Sequence, residues 1–336
     1  MKNFRHLSIY LSAIFGIFIP AETFSEEIGR ESSTYFIVEN DFGFTDRYYT
    51  NGMKFAYLDP ADDWLIDALQ FRALKYLNSD PDSQATQTLA IGQDMYVSYT
   101  IDDANPPITD RPYAGWLYLT TGAHIASKNS LDSISVSVGI VGKYSGAELF
   151  QKNYHKIIHA KKPRGWDTQL KDEPAFVISF NHSERVLEYS LSDNFRTDFI
   201  CSAGANLGTV ATEGVVKAQW RFGFNMPYSF DAARIDFANS QSIEYATANR
   251  PGWHAYLYAG VVGKAVGYNM FLDGNVLRKY GRHVDKEWAV GEFNCGASVR
   301  WGDFYINYSW CVRSDEYKTQ RGGAQIFSAL MLGGLF

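Results

Sequence analysis

The sequence predicts an all-β protein, a transmembrane antiparallel up-and-down β-barrel of about 12 strands. Three observations predict this fold class. The N-terminus has the features of an export signal, long segments alternate strictly between apolar and polar residues, and the chain ends in an aromatic residue, Phe336. Each observation is weak alone, and together they indicate a barrel of the bacterial outer membrane.

The N-terminal segment predicts export. Lys2 and Arg5 supply positive charge, and an apolar stretch from Leu7 to Ile19 follows. This order predicts a signal peptide over residues 1–25 and a barrel over residues 26–336. A single membrane anchor is the alternative, but the stretch is shorter than the ~20 residues that a spanning helix needs.

The alternation is clearest in the C-terminal half. Between Phe304 and Arg313, one face carries Phe, Ile, Tyr, Trp and Val, and the other carries Tyr, Asn, Ser, Cys and Arg. A soluble β-sandwich also alternates. Here, however, the polar face contains Gly, Ser and Asn, the apolar face begins or ends in aromatic residues, and the strands are long. These features fit a lipid-facing exterior with aromatic girdles and a polar lumen.

Twelve candidate strands follow from this pattern, an even number as a closed bacterial barrel requires. They lie near residues 33–39, 52–58, 85–95, 113–126, 131–142, 174–191, 195–208, 212–224, 252–266, 286–301, 303–314 and 323–336. If the N-terminus starts on the periplasmic side, the connections 40–51, 96–112 and 143–173 all lie outside the cell. The connection 59–84 has helical spacing and is expected at the inner interface.

The net charge and the predicted topology limit which molecules the protein is expected to bind. The net charge of -6 argues against a nucleic-acid partner, which would need a basic stripe. We expect a monomer whose outer surface contacts the lipid of the Gram-negative outer membrane.

Three segments, 39–51, 93–116 and 146–173, hold more polar residues than turns need. The first contains Asn40 and Asp41, and the second contains Asp110 and Arg111. Because the strand topology places them at one end of the barrel, the sequence predicts an active site at the extracellular rim.

The third segment predicts a helix between Ala147 and Ala160. Gln151 and His155 are four residues apart and therefore lie on one helix face. His155 and His159 have the same spacing, which two zinc ligands can use, but Lys156 stands where a zinc hydrolase has a Glu. Zinc is therefore the weaker reading.

The ordered set of these segments is similar to the lipid A 3'-O-deacylases of the Gram-negative outer membrane. The resemblance covers residues 33 to 173. It is carried by Asn40-Asp41, Asp46-Arg47, Tyr49-Thr50-Asn51-Gly52, Gln93-Asp94-Met95-Tyr96, Asp110-Arg111-Pro112-Tyr113-Ala114-Gly115, and Gln151 with His155, Trp166 and Gln169.

The resemblance implies a twelve-stranded barrel that removes the 3'-linked acyloxyacyl group from lipid A of lipopolysaccharide in a calcium-dependent hydrolysis. It implies that His155 is the catalytic histidine, that Asn40 and Asp41 are an essential pair, and that Thr50 supplies a hydroxyl group. Arg111 and Gln151 are predicted to contact the substrate.

The sequence departs from the family at one point. Some members have a lysine in the second connection, where this chain has Asp102 and Asp103. The group that contacts a lipid A phosphate is therefore open, with Lys143, Lys161, Lys162 and Arg164 as candidates.

The chemistry of these residues is compatible with the implied reaction. Asp41 and the Asn40 amide offer the oxygen ligands that Ca²⁺ takes, and the His155 imidazole can accept a proton from water. Strict alternation would place Asn40 and Asp41 on opposite faces, so both reach one site only if the strand ends or bulges there. No G-x-S-x-G motif supports a serine acyl-enzyme.

Two other functions stay open. An outer-membrane phospholipase is also a calcium-dependent barrel, but it would need a Ser nucleophile beside its His. A porin-like channel would show a charged constriction loop and no ordered motif.

Overall fold

The computed structural model describes residues 32–41, 47–61, 74, 83–230, 234–235, 252–278 and 281–336. Twelve strands close into a barrel in which each strand pairs with its sequence neighbours and the first pairs with the last. All pairs are antiparallel, which confirms the predicted fold class. The strands are β1 (Ser33–Asn40), β2 (Tyr48–Pro60), β3 (Gln84–Val97), β4 (Ala114–Ala126), β5 (Ser130–Val141), β6 (Glu173–Ser190), β7 (Phe195–Gly208), β8 (Ala211–Phe224), β9 (Trp253–Asn269), β10 (Ala289–Trp301), β11 (Phe304–Arg313) and β12 (Gln325–Leu335).

The predicted signal peptide, residues 1–25, lies outside the described residues and stays a prediction. No helix in the described part of the chain is long and apolar enough to span a membrane.

The two ends of the barrel differ in their connections. The turn end has short turns, such as the one at Gly302, which has a φ of 57°, and it also has the ends of the first and last strands. The long connections after β2 and β8 also lie at the turn end. The other end, here called the site end, carries the remaining longer connections. Within these lie helix α1 (Ala147–Ile157), helix α2 (Met270–Asp273) and the 3-10 segments Lys143–Ser145 and Gly165–Thr168.

β2 begins four residues before its predicted start at residue 52. The pairing of β2 with β3 shifts register between Tyr49 and Asn51, so that Thr50 forms a β-bulge. A bulge adds one residue to one strand while the ladder continues beyond it. Pairing therefore extends through a polar stretch to Tyr48, opposite Val97.

The outer face of the wall is apolar. Phe36, Phe55 and Ile91 lie in register on three successive strands, and all three are exposed. Near the turn end, Trp253 and Trp301 are paired and their rings stack with centroids 5.6 Å apart. This is the pattern of a lipid-facing band with an aromatic girdle.

The connection 59–84 lies mostly outside the described residues. Leu74 is helical and buried, and it packs with Ala61, Ala123 and Ile125. Ala123 and Ile125 alternate with lumen-facing residues of β4, so Leu74 covers the outer face of the wall near the turn end.

Large side chains fill the lumen toward the site end. The rings of Tyr96 and Phe271 stack with centroids 4.1 Å apart, as do those of Trp116 and Tyr118. Tyr49 and Phe327 belong to the same buried cluster.

The connection between β8 and β9 enters the lumen from the turn end. Phe230 is buried against Ala126, Leu131 and Ile200. Further along, Arg234 donates from Nε to the Glu39 carboxylate at 2.7 Å and also pairs with Glu292. Its guanidinium lies 4.8 Å from the Phe327 ring centroid. Since Glu39 is near the site end, the described residues of this connection reach from near the turn end, at Phe230, to near the site end, at Arg234.

Candidate active site

The ends of β1 and β2 hold each other through reciprocal side-chain bonds. Asn40 donates from Nδ2 to the carbonyl of Thr50 at 3.0 Å, and Asn51 donates from Nδ2 to the carbonyl of Glu39 at 3.2 Å. Asn40 and Asn51 are direct partners across the strand pair. The bulge at Thr50 directly precedes Asn51 on β2. The two asparagine side chains therefore stabilise the strand pair at the point where its regular ladder is interrupted.

Asp41 follows directly after the last residue of β1 and is 1% exposed. Its carboxylate accepts a bond of 2.6 Å from the backbone N–H of Arg47 and one of 3.3 Å from the Thr50 hydroxyl. Because β1 ends at Asn40, strand alternation does not force Asp41 to the face opposite Asn40. The structure therefore brings Asn40, Asp41 and Thr50 together.

Asn40 and its neighbours lie on the outer face of the wall. Asn40, Asn51, Met95 and Gly115 are successive partners across β1 to β4. On β1, Asn40 has the same parity as exposed Phe36, whereas Glu39 is fully buried toward the lumen. Asn40 and Asn51 therefore lie on the outer face of the wall rather than in the lumen.

Helix α1 packs on this same outer face. A Cβ atom added at Gly115 would lie 2.3 Å from the Ala147 Cβ and 2.3 Å from the Ser145 Oγ. Gln93, which also points outward, donates from Nε2 to the carbonyl of Ser145 at 2.6 Å. Only a glycine lets the start of α1 approach β4 this closely.

An apolar cluster joins the second and third of the segments that the sequence singled out. Tyr113 and Trp166 meet edge to face, with ring centroids 5.2 Å apart. Met53, two residues after Asn51, packs against this cluster from β2. The buried members are Met95, Val97, Ile101, Tyr113, Ala147 and Trp166.

The buried face of α1 is formed by Ala147, Gln151 and His155, which are spaced by four residues. Gln151 accepts a bond of 2.8 Å at Oε1 from the indole N–H of Trp166. The Gln151 Nε2 group is buried and has no hydrogen-bond partner among the described residues. Trp166 thus fixes the Gln151 amide and leaves its donor for another molecule.

His155 is 6% exposed, and its orientation is set by a backbone group. Its Nδ1 atom lies 2.6 Å from the carbonyl oxygen of Lys161. Because a carbonyl only accepts, Nδ1 carries the hydrogen, and the lone pair of the neutral ring is on Nε2. An imidazole held in this way can act as a general base.

The outward face of α1 is apolar. Leu149 and Ile157 are exposed, and the rings of Phe150 and Tyr154 stack with centroids 6.2 Å apart. Phe150, Tyr154 and Ile157 form a row beside the buried row that contains His155. We call it the apolar row.

The structure places Arg111 apart from these groups. It is fully buried, donates to the Glu316 carboxylate at 2.5 Å, and lies 4.5 Å from the Tyr96 ring centroid. Burial alone would raise the pKa of Glu316, but the guanidinium groups of Arg111 and Arg313 lower it. Substrate contact by Arg111 stays a prediction without support from this arrangement.

A cavity in the lumen is a separate feature. It is lined in part by charged residues that pair with one another, such as Lys264 with Glu213 at 3.5 Å. His155 and Asp41 are not among its lining residues. The candidate site and this cavity therefore lie on opposite sides of the wall.

The residues around Asp41 fit the chemistry of a calcium ion. Ca²⁺ takes carboxylate, amide and carbonyl oxygens, and here the Asp41 carboxylate, the Asn40 amide and the Thr50 carbonyl lie together. In the described part of the chain, no three His, Cys, Asp or Glu side chains cluster as a metal site. Among the described residues, Asp41 would supply the charged oxygen and its neighbours would supply neutral ones.

Two functional groups were missed by the sequence reasoning. The Lys161 carbonyl orients His155, and the Asn51 side chain supports the end of β1. Asn51 lies within a recognised segment and could have been chosen by its strand position. The Lys161 carbonyl belongs to the backbone, and no side-chain pattern reveals it.

Comparisons with known proteins agree with this architecture. Residues 9–333 match the family described as "Outer membrane protein LpxR". No curated protein matches the sequence.

Among solved structures, LpxR from Salmonella typhimurium matches with a TM-score of 0.73 and 18% identity, over 90% of this chain and 100% of that one. The β domain of the Bordetella autotransporter BrkA matches with a TM-score of 0.44 and 9% identity, over 91% of this chain and 98% of that one. At these identities the likeness to LpxR shows the fold. With the family match across nearly the whole length, the chain belongs to the LpxR family and is a β-barrel of the Gram-negative outer membrane.

Proposed function

We propose that this protein is a calcium-dependent hydrolase that removes the 3'-linked acyloxyacyl group from lipid A in the outer leaflet. Membership of the LpxR family supports an activity on lipid A. The observation that carries the proposal is the His155 imidazole, oriented by the Lys161 carbonyl and positioned by a helix on the outer face of the wall. A lipid ester in the leaflet reaches that face directly.

In this mechanism His155 is the general base. Its Nε2 atom takes a proton from a water molecule as the water oxygen attacks the ester carbonyl carbon. When the tetrahedral intermediate collapses, the bond to the sugar oxygen breaks and the imidazolium returns the proton to that oxygen. The products are a free acyloxyacyl acid and a sugar hydroxyl group. Proton transfer of this kind contributes typically ~10²–10⁴ in rate.

Asp41, Asn40 and Thr50 form the electrophilic side of the site. The Arg47 N–H and the Thr50 hydroxyl hold the Asp41 carboxylate in place. Asp41 and the Asn40 amide oxygen would hold a calcium ion, which would supply Lewis-acid polarisation of the ester carbonyl.

The remaining groups orient the substrate. The Gln151 Nε2 donor, buried beside His155, is proposed to bind an oxygen of the substrate. The acyl chains are proposed to lie along the apolar row of α1. Arg111 is left out, because its guanidinium is bonded to Glu316 over the lumen.

The proposal also covers the chain as a whole. Residues 1–25 are proposed to be removed as a signal peptide, and the barrel to act as a monomer. All groups assigned to the site come from one chain, so that no second copy is needed.

The two rival functions have less support. No serine hydroxyl bonds to His155 in the part of the chain that the structure describes, as a serine phospholipase would need. Against a porin-like channel, Arg234 and the aromatic cluster occupy the lumen.

Mass spectrometry of lipid A after incubation with the purified barrel tests the proposal. Arms with calcium, with a chelator and with His155→Ala are run together, and His283→Ala serves as the control because His283 is an exposed loop histidine at the site end. We expect loss of an acyloxyacyl mass with calcium, and none with the chelator. The rate with His155→Ala should fall by ~10²–10⁴. Loss of a phospholipid chain instead, or equal rates for the two histidine variants, would refute the proposal.

A further inference from the structure

Positive charge is concentrated in the last turn of α1 and directly after it. Of the nine residues from 156 to 164, five are Lys, Arg or His and none is Asp or Glu, although the chain has a net charge of -6. All five side chains are exposed. None forms an ion pair with a residue that the structure describes. We call this segment the basic loop; its charged or titratable members are Lys156, His159, Lys161, Lys162 and Arg164.

The backbone of the basic loop is fixed against the candidate site. The Lys161 carbonyl accepts the bond from His155, and the Ala160 N–H donates to the carbonyl of His155 at 2.9 Å. At the far end, the Arg164 N–H donates to the carbonyl of Ile101 at 3.0 Å. The cationic side chains therefore extend from a backbone that is fixed beside the imidazole.

This arrangement suits a phosphate group. Lys161, Lys162 and Arg164 repel one another unless an anion lies between them. Phosphate oxygens accept charge-assisted bonds from ammonium groups and paired bonds from a guanidinium.

The position of the basic loop favours an anion carried by a lipid. It follows the apolar row of α1, whose members Phe150, Tyr154 and Ile157 are exposed beside it. An apolar face next to a basic segment is typical of structure at a membrane interface, with acyl chains against the one and head-group charge against the other. The start of α1 itself packs on the outer face of the wall, where Ala147 lies against Gly115.

We propose that Lys161, Lys162 and Arg164 bind a phosphate on the sugar head of the same lipid whose ester His155 hydrolyses. This inference rests on the proposed function in taking that lipid to be lipid A. It chooses among the cations that the sequence left open, because Lys161 is the one whose backbone touches the imidazole. Lys143 lies before the start of α1, whereas His155 is near its end.

The test compares phosphorylated lipid A with enzymatically dephosphorylated lipid A, both in mixed detergent micelles. The variant K161Q/K162Q/R164Q keeps the backbone carbonyl that orients His155. Matched controls are Lys143→Gln and Lys171→Gln, which remove exposed lysines at the same end of the barrel.

For the unmodified protein, we expect the KM for dephosphorylated lipid A to be about tenfold higher than the KM for the phosphorylated form. A change of this size corresponds to the free energy of a few partly exposed charge contacts. The triple variant should show the higher KM with both substrates and an almost unchanged kcat. A triple variant that still distinguishes the substrates overturns the inference, as does an equal KM effect in Lys143→Gln. Inorganic phosphate or phosphatidylglycerol micelles, added at matched phosphate concentration, should not lower the raised KM for dephosphorylated lipid A. If either does, the basic loop is a general anion surface and the inference is overturned.

A second measurement separates this inference from the proposed function. Binding of the His155→Ala protein to the two kinds of micelle is followed by its tryptophan fluorescence, with and without the three basic-loop substitutions. Phosphate-dependent binding without any hydrolysis by the unmodified protein refutes the function and supports the basic loop. Hydrolysis together with binding that does not depend on the phosphate supports the proposed function and refutes the phosphate site in the basic loop.

Discussion

At His155 the proposed general-base role depends on the backbone carbonyl of Lys161. The bond between them fixes which ring nitrogen holds the hydrogen and leaves the lone pair of the neutral ring on the other. The sequence predicted His155 by resemblance and its helix face by spacing. It could not predict this orientation, because the chain reverses after Ile157 through His159, which has a φ of 56°.

Asp41 provides a prediction at the same scale. Asp41→Asn removes the charge of the proposed calcium ligand near the bulge, so we expect the calcium concentration for half-maximal rate to rise at least about tenfold. The measurement is the hydrolysis rate across a calcium titration, with Asp102→Asn, an exposed site-end residue, as control. An unchanged calcium dependence in Asp41→Asn would show that calcium binds elsewhere.

The residues around Asp41 show what a sequence can decide. Strict alternation would place Asn40 and Asp41 on opposite faces of the strand. They can therefore share a site only if the strand ends or bulges there. In the structure β1 ends at Asn40, and the neighbouring strand bulges at Thr50. Which of the two would occur depended on tertiary contacts, such as the bond from Asn51 to the Glu39 carbonyl, that no local pattern contains.

At the scale of elements, helix α1 depends on its close packing against β4. The predicted helix over 147–160 was confirmed over Ala147–Ile157. The partner strand of α1 was not predictable from periodicity, because the buried face of the helix carries Gln151 and His155 and most of its exposed residues are apolar. That inversion of the usual pattern suits a helix between a polar site and lipid.

Gly115 tests this packing. Gly115→Ala places a Cβ atom 2.3 Å from Ala147 and Ser145, so α1 must shift, at a cost of about 1–3 kcal/mol. We expect the hydrolysis rate to fall by more than about tenfold, because displacement of a positioned catalytic group is costly. The unheated variant should still migrate differently from the heated variant on a denaturing gel, as expected if the barrel stays folded. Gly291→Ala is the control, since no atom lies within 4 Å of its added Cβ; equal rates in the two variants would contradict the role of α1.

For the whole molecule, the strand count, strand order and closure were predicted from alternation and parity. The content of the lumen was not. Arg234 lies in a connection with no strand pattern, and it reaches Glu39 across a separation of 195 residues in the chain. Contacts of that range follow from closure of the barrel and not from local sequence.

Arg234→Ala is expected to destabilise the barrel strongly. Glu39 is fully buried and takes bonds from Arg234 Nε and from the N–H of Ile235. Loss of one partner of a buried ion pair typically costs about 3–5 kcal/mol. The urea concentration at the midpoint of unfolding, measured by tryptophan fluorescence in vesicles, should be lower for Arg234→Ala. It should be unchanged for the control Arg278→Ala, because Arg278 is exposed. Equal midpoints would mean that Arg234 is not part of a stabilising lumen network.

The position of α1 on the outside of the wall has a kinetic consequence. A molecule bound there can arrive by diffusing sideways within its own monolayer, and it need not be pulled out of the bilayer or threaded through the cylinder. Turnover should therefore follow the mole fraction of substrate among its neighbours in the membrane, and dilution with inert amphiphile at constant bulk concentration should slow it.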